Sequence, residues 1–435
     1  MKTVIMAGGM GSRIRSVDAS VPKPMLKIGG KPVLEWEIRR LGEQGFHDVM
    51  ITTSYLGSAI ENYFGDGEKF RAKISYYHEE TALGNAGALF KMRDILTDDF
   101  LLLNADAVFD VDFRRFVSAH KRMGGLATIF THPNSHPYDS VLLMTDERNA
   151  ATRWLTKESP RPRWYQNRVN AGLHVLSPAA LDWSGIDPET VGRPANGKPF
   201  TVDLDRQILT PLCGAGKLFC YDSPEYVKDM GTPERYEAVK RDFASGLIAA
   251  RSLRRKRKAL FLDRDGTINR NVGFLRKIED FEPLPGVGEA IRNINASGYL
   301  AIVATNQPVL ARGELSFEGL RQIHDKMETL LGYEGAFLDG VYFCPHHPRK
   351  GYQGEVPALK IDCDCRKPKP GMLLKAAEDF HIDLTRSWMI GDSENDVKAG
   401  KAAGCRTALI GAGNYAQDLT ADSLPDAVER ILRDA

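Results

Sequence analysis

Two aspartates stand one residue apart in the middle of this 435-residue chain, directly after an apolar run. The run Ala259-Leu-Phe-Leu262 has the length and composition of a buried strand. Asp263 and Asp265 come next, and Gly266-Thr267 follows them. In α/β folds the reacting groups stand at the carboxyl ends of buried strands. The spacing therefore predicts a catalytic site that begins with these two carboxylates.

A glycine-rich segment at the N-terminus, Met6-Ala-Gly-Gly-Met-Gly-Ser-Arg13, is a second candidate site. Glycines directly after a strand let the backbone approach a phosphate, and exposed N–H groups can form an anion-binding nest. Arg13 and Lys23 could then hold oxygens of a triphosphate. A tight turn without any ligand explains this segment equally well when it is taken alone.

Two further carboxylates favour the nucleotide interpretation. Asp106 ends the apolar run Leu101-Leu-Leu-Asn-Ala-Asp106, and Asp229 precedes a turn. Carboxylates from two separate loops can hold a Mg²⁺ ion that is bound to phosphates. A helix cap or a turn residue would explain either aspartate singly, but not the whole ordered set.

Three of the six cysteines lie close to histidines, in Cys344-Pro-His346 and Cys363-Asp-Cys365. Three sulfurs and an imidazole suit tetrahedral zinc, and a site with all four positions filled is structural. Unrelated loop cysteines near a chance histidine are the alternative, and His347 is a competing ligand. The other cysteines, Cys213, Cys220 and Cys405, have the pattern of buried thiols.

The composition argues against several functional classes. The chain has 58 basic and 57 acidic residues, a formal net charge of +1, and 43% hydrophobic residues. This balance gives no charge field that would attract nucleic acid or a membrane surface, and no apolar run is long enough to span a bilayer. The first residues lack the layout of a signal peptide. We expect a cytoplasmic protein that acts on small molecules.

Strand-like and helical patterns alternate along both halves, which predicts two doubly wound α/β domains. We expect a Rossmann-like domain over residues 1–250 and a second Rossmann-like domain with a zinc loop over 259–435. The basic run 251–258, Arg-Ser-Leu-Arg-Arg-Lys-Arg-Lys, lies between them. A localisation signal or nucleic-acid patch would explain it, but a solvated linker fits better with the neutral remainder of the chain.

The motifs of the first half, taken together, resemble the sugar-1-phosphate nucleotidyltransferase family. They are Gly-Gly-Met-Gly-Ser-Arg, Pro22-Lys-Pro-Met25, Leu83-Gly-Asn-Ala-Gly-Ala88, Asn-Ala-Asp106, Val169-Asn-Ala-Gly172 and Asp229-Met-Gly-Thr-Pro233. The resemblance implies attack of a sugar 1-phosphate on the α-phosphorus of a nucleoside triphosphate, with release of pyrophosphate. Positioning and charge neutralisation would supply the catalysis.

The same resemblance assigns roles to individual residues. Lys23 would stabilise charge on the α-phosphate, and Mg²⁺ would be held by Asp106 and Asp229. The nucleotide phosphates would be bound by Gly8, Gly9, Gly11 and Arg13, and Gly84 and Asn85 would lie near the base or the sugar. Sugar-phosphate binding falls to Asn170, to Lys157 in Thr156-Lys-Glu-Ser-Pro160, where the family usually has Glu-Lys-Pro, and to Asp203, where many members carry a glutamate.

The second half resembles the haloacid dehalogenase superfamily in four motifs that follow in order. They are Asp263-Arg-Asp-Gly-Thr267, Val303-Ala-Thr-Asn-Gln307, Arg366-Lys-Pro-Lys-Pro-Gly371 and Gly391-Asp-Ser-Glu-Asn-Asp396. The resemblance implies that Asp263 is the nucleophile and that Asp265 transfers protons. Mg²⁺ would be held by Asp263, Asp392 and the backbone carbonyl of Asp265. The phosphorylated substrate would be contacted by Thr305, Asn306, Arg366 and Lys367.

The zinc loop narrows this resemblance to the heptose 1,7-bisphosphate 7-phosphatases. Histidinol phosphatases share the ligand arrangement but have a shorter loop than residues 347–362. One departure is Pro308-Val309, which replaces a more usual Ser-Gly in a loop near the substrate. This change bears on how the sugar fits and leaves the hydrolysis unaffected.

Joined in one chain, the two halves imply consecutive steps toward a nucleotide-activated heptose. Because the ADP-heptose route uses a transferase of another fold family, the resemblance favours GTP as the nucleotide. The alternatives are a mannose- or glucose-1-phosphate transferase fused to a different sugar- or histidinol-phosphate phosphatase, and a non-catalytic sensor. A homo-oligomer is compatible with the sequence, which leaves the oligomeric state open.

Overall fold

Contacts within the chain divide this computed structural model into two compact units. The structure describes residues 1–9, 14, 16–54, 56–195 and 197–434. Unit 1 comprises Met1–His132, Val141–Thr156 and Asn170–Ala249, and unit 2 comprises Pro133–Ser140, Lys157–Val169 and Ala250–Ala435. Two short segments of the first half therefore group with unit 2, a division that no sequence pattern had indicated.

The apolar runs of unit 1 form buried strands, as their length and composition predict. The strands are β1 (Thr3–Met6), β2 (Lys27–Ile28), β3 (Lys31–Pro32), β4 (Asp48–Thr53), β5 (Lys73–His78), β6 (Phe100–Asn104), β7 (Ala107–Phe109), β8 (Ala127–His132), β9 (Leu142–Thr145), β10 (Ala151–Leu155), β11 (Val169–Leu176), β12 (Pro194–Ala195), β13 (Lys198–Pro199), β14 (Leu218–Asp222) and β15 (Val227–Asp229). The main sheet has the order β10-β9-β11-β6-β1-β4-β5, and β8 joins β11 to β14. Strands β6, β1, β4 and β5 are parallel, whereas β11 runs antiparallel to β6.

Amphipathic helices cover this sheet. They are α1 (Val33–Glu43), α2 (Gly57–Phe64), α3 (Gly87–Lys91), α4 (Phe113–Met123), α5 (Pro178–Trp183), α6 (Thr210–Leu212), α7 (Pro233–Ala244) and α8 (Leu247–Ala250). Thr232 caps α7 by accepting a hydrogen bond from the Arg235 backbone N at 3.3 Å. Helices α7 and α8 are separated at Gly246, where φ is +78°, a value that favours glycine.

Unit 2 has a second sheet, and within its described residues every pair of neighbouring strands in this sheet is parallel. The strands, in sheet order, are β18 (Gly340–Cys344), β17 (Tyr299–Asn306), β16 (Lys258–Leu262), β19 (Trp388–Gly391), β20 (Arg406–Ile410) and β21 (Leu419–Ala421). The helices are α9 (Val287–Ser297), α10 (Pro308–Ala311), α11 (Phe317–Tyr333), α12 (Gly371–Phe380), α13 (Glu394–Ala403) and α14 (Leu424–Arg433). The expected α/β class with two doubly wound sheets is confirmed.

The basic run 251–258 is only partly the solvated linker that we expected, because residues 254–256 are exposed but residues 251–253 and 257 are buried. Arg251 is 4% exposed and Arg257 is 1% exposed. Arg251 forms an ion pair with buried Asp339 at 2.5 Å, and Arg257 donates to the Phe380 carbonyl at 2.6 and 2.8 Å. These guanidinium groups find partners inside unit 2, which offsets the cost of burying their charge.

No helix in the described part of the chain is long and apolar enough to cross a membrane.

Candidate functional site

The two aspartates predicted to hold Mg²⁺ in the first half meet at one short ladder. Strands β7 and β15 pair antiparallel, with Asp229 opposite Ala107, and the Met230 backbone N donates to the Asp106 carbonyl at 2.9 Å. Asp106 immediately precedes β7, so both carboxyl groups lie at the same end of this ladder. Each side chain is a little under half exposed, which leaves oxygen atoms accessible to a metal ion and phosphate.

Lys23 lies close to this pair and begins a 3-10 turn, Lys23–Met25, just before β2. Its Nζ lies 2.6 Å from Asp106 Oδ2, and its side chain is only 9% exposed. Asp229 accepts from Arg235 Nη1 at 2.8 Å through both oxygens and from the Gly231 backbone N at 2.8 Å. Burial alone would raise the pKa of Asp229, but these hydrogen bonds outweigh it and lower the pKa. Asp229 is therefore held as a carboxylate, the form that binds Mg²⁺.

The glycine-rich loop is only partly described. Gly8 and Gly9 follow β1 directly, as the motif predicts. A residue with a side chain would be crowded at Gly8, because its Cβ atom would lie 2.9 Å from Glu79 Oε1. At Gly9 such an atom would have no neighbour within 4 Å. Gly11 and Arg13, predicted to bind nucleotide phosphates, lie outside the described residues, so their roles stay predictions.

Gly84 and Asn85 contact the segment that carries Asp203. At Gly84, φ is +83° and a Cβ atom would lie 2.4 Å from the Val202 carbonyl oxygen. Asn85 Oδ1 accepts from the Leu204 backbone N at 2.7 Å. Asp203 caps the next helical turn by accepting from the Arg206 backbone N at 2.8 Å. The structure thus brings three predicted ligand residues together, and it also gives each of them a structural partner.

Asn170 and Lys157 lie in different units. Asn170 Oδ1 accepts from the Gly172 backbone N at 2.9 Å, near Asn104 at the end of β6. Lys157 belongs to the segment Lys157–Val169 of unit 2, and its Nζ lies 2.6 Å from Asp139 Oδ1. Its predicted role in sugar-phosphate binding stays a prediction.

One buried acid of unit 1 was missed from the sequence. Glu37 on α1 is 2% exposed, and neither carboxyl oxygen has a hydrogen-bond partner among the described residues. Burial, and then the charge of Asp106, raises its pKa well above the usual range. This shift favours the protonated form of Glu37, which its sequence position on an amphipathic helix does not reveal.

In unit 2, Asp263 stands at the tip of β16, as the apolar run predicts. Its backbone N donates to the Ile390 carbonyl at 2.9 Å. Lys367 Nζ lies 2.9 Å from Asp263 Oδ1 and 2.5 Å from Asp396 Oδ1, and its side chain is 2% exposed. Burial and the Asp396 charge raise the pKa of Asp263, although Lys367 opposes them. A bound cation would favour the ionised nucleophile.

A cleft of about 270 Å³ lies over Asp263. Its polar lining includes every residue predicted for the phosphatase site: Asp263, Asp265, Thr305, Asn306, Arg366, Lys367 and Asp392. Oxygens of Asp263, Asp392 and Asp396 lie within 4.8 Å of one another and could hold a metal ion. Asp396 also accepts from the Ser393 backbone N and Oγ at the start of α13. Its bond to Lys367 shows that Asp396 also supports the lysine beside the nucleophile.

Neighbouring loops fix the groups around the nucleophile. Asn306 exchanges two 3.0 Å hydrogen bonds with the Lys367 backbone. Thr305 lies one residue before the end of β17, and its Oγ1 accepts from Gln307 Nε2 at 3.0 Å. Arg366 Nη1 donates to the His346 carbonyl at 3.2 Å. This bond connects the cleft with the metal loop, the segment 344–370 that carries the predicted zinc ligands.

Asp265 is surrounded by hydrogen-bond donors that the motif analysis did not identify. Arg264 donates to both carboxyl oxygens, and Asn269 Nδ2 and Gln307 Nε2 donate at 3.0 Å each. Burial would raise the pKa of Asp265, but the Arg264 charge and these donors lower it. The signal was present in the motif itself, because Arg264 lies between the two aspartates.

The predicted zinc ligands come together. The sulfur atoms of Cys344, Cys363 and Cys365 are 3.2 to 3.5 Å apart, and His346 Nδ1 lies 3.4 Å from Cys365 Sγ. Tetrahedral zinc with bonds of about 2.3 Å needs ligand separations of about 3.7 Å, so the group fits a metal ion. His347 Nδ1 instead accepts from the Arg349 backbone N, which resolves the competition in favour of His346.

The family of the first half is identified by comparison with known proteins. The family model described as nucleotidyl transferase matches residues 2–245, more than half of the chain. The chain therefore belongs to the nucleotidyl transferase family. A second family model, described as HAD-hydrolase-like, matches residues 364–435.

Relatives of the second part are more specific. The D-glycero-beta-D-manno-heptose-1,7-bisphosphate 7-phosphatase of Haemophilus ducreyi is 40% identical over 184 residues, which cover 40% of this chain and 98% of that protein. The D-glycero-alpha-D-manno-heptose-1,7-bisphosphate 7-phosphatase of Burkholderia mallei is 45% identical over 155 residues, covering 36% of this chain and 80% of that protein. A crystal structure of D,D-heptose 1.7-bisphosphate phosphatase from B. bronchiseptica, complexed with magnesium and phosphate, covers 41% of this chain and 99% of that chain, with 32% identity and a TM-score of 0.37.

These sequence relatives assign the phosphatase part of the chain to the heptose bisphosphate phosphatase family. The chain is thus an enzyme that joins a nucleotidyl transferase to a phosphatase of the haloacid dehalogenase type.

Proposed function

We propose that this enzyme carries out two consecutive steps in the synthesis of GDP-heptose. It removes the 7-phosphate of D-glycero-D-manno-heptose 1,7-bisphosphate and then transfers GMP from GTP to the resulting heptose 1-phosphate. The observation that carries the proposal is the presence, in one chain, of a nucleotidyl transferase and a phosphatase whose relatives are named for heptose bisphosphate. The heptose 1-phosphate that the phosphatase releases is the acceptor that the transferase requires.

In the phosphatase reaction, Asp263 Oδ attacks the 7-phosphorus and the bond from phosphorus to the sugar oxygen breaks. Asp265 is ionised in the resting site because of its hydrogen-bond donors. It takes a proton from the bound phosphate monoester and gives that proton to the leaving oxygen. Water then attacks the phosphoaspartate and Asp265 takes the water proton, which frees inorganic phosphate and restores Asp263. Thr305 and Lys367 hold the transferring phosphoryl group, with Asn306 and Arg366 on the substrate side.

In the transferase reaction, an oxygen of the sugar 1-phosphate attacks the α-phosphorus of the nucleotide and the bond to pyrophosphate breaks. Lys23 stabilises the charge that develops on the α-phosphate. The roles of Gly8, Gly9, Gly84 and Asn85 in nucleotide binding follow the family resemblance. Asn170, Asp203 and Lys157 are proposed to orient the sugar phosphate.

Metal ions complete both sites. Asp106 and Asp229 would hold Mg²⁺ in the transferase, and Asp263, Asp392 and the Asp265 backbone carbonyl would hold it in the phosphatase. Bound Mg²⁺ neutralises phosphate charge and favours the ionised forms of these acids. Zn²⁺ on Cys344, His346, Cys363 and Cys365 would be structural, because its four positions are filled by the protein.

The base preference and the cellular location belong to the same proposal. GTP is favoured because the transferase belongs to the nucleotidyl transferase family, whereas the ADP-heptose route uses a different transferase fold. A cytoplasmic location agrees with reduced thiols and nucleotide substrates.

A time course with the full-length chain tests the pathway. Given heptose 1,7-bisphosphate, GTP and Mg²⁺, phosphate should appear before pyrophosphate, and GDP-heptose should accumulate. Parallel reactions with ATP, CTP and UTP, and with mannose and glucose 1-phosphate, measure the two preferences. If heptose 1-phosphate is no better an acceptor than the other sugar phosphates, the heptose pathway is excluded. A mannose- or glucose-1-phosphate transferase joined to another phosphatase would then remain.

A further inference from the structure

The side chain of Arg264 turns inward from the middle of the Asp-x-Asp motif. No part of it is exposed, although it stands between two residues that line the active-site cleft. Its Nε donates to Asp265 Oδ1 at 3.2 Å, and its Nη2 donates to Oδ1 and Oδ2 at 2.9 and 2.7 Å. A planar guanidinium that grips a carboxylate through several donors fixes the orientation of both groups.

The other side of the guanidinium faces a buried histidine on α11. Arg264 Nη1 lies 3.4 Å from His324 Nε2. Burial, followed by the charge of Arg264, lowers the pKa of His324 to about 3, so the ring is neutral and Nε2 can accept a hydrogen bond from the guanidinium. The His324 ring packs 5.8 Å from the ring of Phe343 on β18. Arg264 is therefore held between Asp265 on one side and a histidine of α11 on the other.

Two amides complete the setting of Asp265 and connect it with the phosphoryl site. Asn269 Nδ2 donates to Oδ1 and Gln307 Nε2 donates to Oδ2, each at 3.0 Å. Gln307 Nε2 also donates to Thr305 Oγ1 at 3.0 Å. The orientation of Asp265 is thus tied to a residue that holds the transferring phosphoryl group.

A purely structural role gives a poor account of this arrangement. Removing a complete guanidinium from water is costly, and an ion pair of this kind is often no more stable than apolar side chains of the same volume. A residue needed only to fill space behind the nucleophile would be apolar. The cost is understandable if the orientation of Asp265 matters for the reaction.

We propose that Arg264 is a positioning residue of the phosphatase reaction. It holds the Asp265 carboxyl group in the orientation that passes a proton to the leaving sugar oxygen and later takes one from water. The inference rests on the proposed role of Asp265 in proton transfer, and it adds Arg264 and His324 to the residues on which the rate depends.

The leaving group distinguishes this role from a structural one. A sugar alkoxide must be protonated as it leaves, whereas p-nitrophenolate leaves without a proton. An enzyme with a misplaced Asp265 should still form the phosphoaspartate from p-nitrophenyl phosphate. It should then hydrolyse that intermediate slowly, because activation of water also needs Asp265. The expected signature is a burst of nitrophenolate followed by a slow steady phase.

The experiment uses the full-length chain with Mg²⁺ and the variant Arg264→Lys, which keeps the charge and loses the planar fork. We expect kcat for heptose 1,7-bisphosphate to fall about 100-fold, within the range that proton transfer contributes, with KM nearly unchanged. The rate of the nitrophenolate burst should stay within about threefold of the unmodified enzyme, since that step needs no acid. Equal losses in the burst and in sugar phosphate turnover would overturn the proposal, as would unchanged turnover of the sugar phosphate.

Arg257→Lys is the matched control, because Arg257 is equally buried in unit 2 but donates to the Phe380 carbonyl. Any loss it causes should be the same for both substrates. If thermal unfolding shows that Arg264→Lys does not fold, the variant His324→Leu replaces it. The nitrophenolate burst and the turnover of the sugar phosphate are then measured for that variant. A loss confined to the sugar phosphate and the steady phase supports the proposal, whereas an equal loss or no loss overturns it.

The test also separates this inference from the choice of sugar. If the unmodified chain does not hydrolyse heptose 1,7-bisphosphate, the heptose assignment fails. The comparison then proceeds with whichever alkyl phosphate the enzyme accepts, such as histidinol phosphate.

Discussion

Two glutamates on one helix show how the setting of a residue decides its charge. Glu35 and Glu37 both lie on α1 and both are buried. Glu35 accepts from Arg39 Nε at 2.7 Å and from Tyr63 Oη at 2.6 Å. Burial would raise its pKa, but these partners outweigh burial and lower it. Glu37 has no such partner among the described residues, and its pKa is raised.

The same substitution should therefore have opposite effects at the two positions. A raised pKa means that the folded state keeps a proton that the unfolded state has lost, so stability falls as the pH rises above about 4.5. Glu37→Gln removes this penalty and should stabilise the protein at pH 8 relative to pH 5. A lowered pKa contributes stability that is present above about 4.5 and lost on acidification. Glu35→Gln should therefore destabilise the protein at pH 5 and at pH 8 by similar amounts.

Urea unfolding of both variants and the unmodified chain at pH 5 and pH 8 measures these shifts. If Glu37→Gln lowers the unfolding midpoint at pH 8 as Glu35→Gln does, Glu37 is ionised and has a partner that the structure does not display.

At the level of elements, the sequence predicted the strands well and their distant partners less well. Asp263 and Thr305 were placed correctly because each ends an apolar run, and the end of a strand can be read from local composition. The meeting of Asp106 and Asp229 depends on the ladder between β7 and β15, two three-residue strands far apart in sequence. Such short strands have no local pattern that reveals their pairing.

The direction in which a side chain points was the other feature that could not be predicted from the sequence. Arg251 and Arg257 belong to a run of basic residues that composition alone assigns to solvent, yet each finds an acceptor inside unit 2. Arg264 was visible within a recognised motif, but only the structure shows that it turns inward toward His324. Charge indicates exposure only when no buried partner exists, and the partners of these arginines come from other elements.

The metal loop between β18 and α12 should depend on its ion for stability. Apart from one 3-10 turn, the described residues 345–370 form no helix or strand, so few backbone hydrogen bonds hold them. Protein purified without chelator should contain about one zinc per chain, and Cys363→Ser should lose it and lower the unfolding temperature, because structural zinc contributes directly to folding. Metal analysis and thermal unfolding measure both effects.

Cys405→Ala is the matched control for the metal loop, since Cys405 is a buried thiol of unit 2 outside the cluster. It should retain zinc. A chain that lacks zinc and is nonetheless as stable as the zinc-loaded protein would disprove the structural role.

At the scale of the whole molecule, two reaction classes occupy separate sets of residues. The transferase group around Lys23, Asp106 and Asp229 lies in unit 1, and the phosphatase group around Asp263 and Lys367 lies in unit 2. Each group has its own acids for a metal ion and its own lysine for phosphate charge. Apart from Lys157, which belongs to unit 2 and is proposed for sugar-phosphate binding in the transferase, the two groups share no side chain.

This separation predicts that each activity can be removed alone. Asp263→Asn should abolish phosphate release, because an amide is too weak a nucleophile to form the phosphoenzyme, while GMP transfer to added heptose 1-phosphate stays within about twofold. Asp106→Asn should lower pyrophosphate release by about 100-fold or more through loss of metal-held charge, with phosphate release intact. Phosphate and pyrophosphate are measured separately on the same preparations. A folded variant that loses both activities would contradict the two-site assignment. If Asp263→Asn makes GDP-heptose only when heptose 1-phosphate is supplied, the phosphatase must act first.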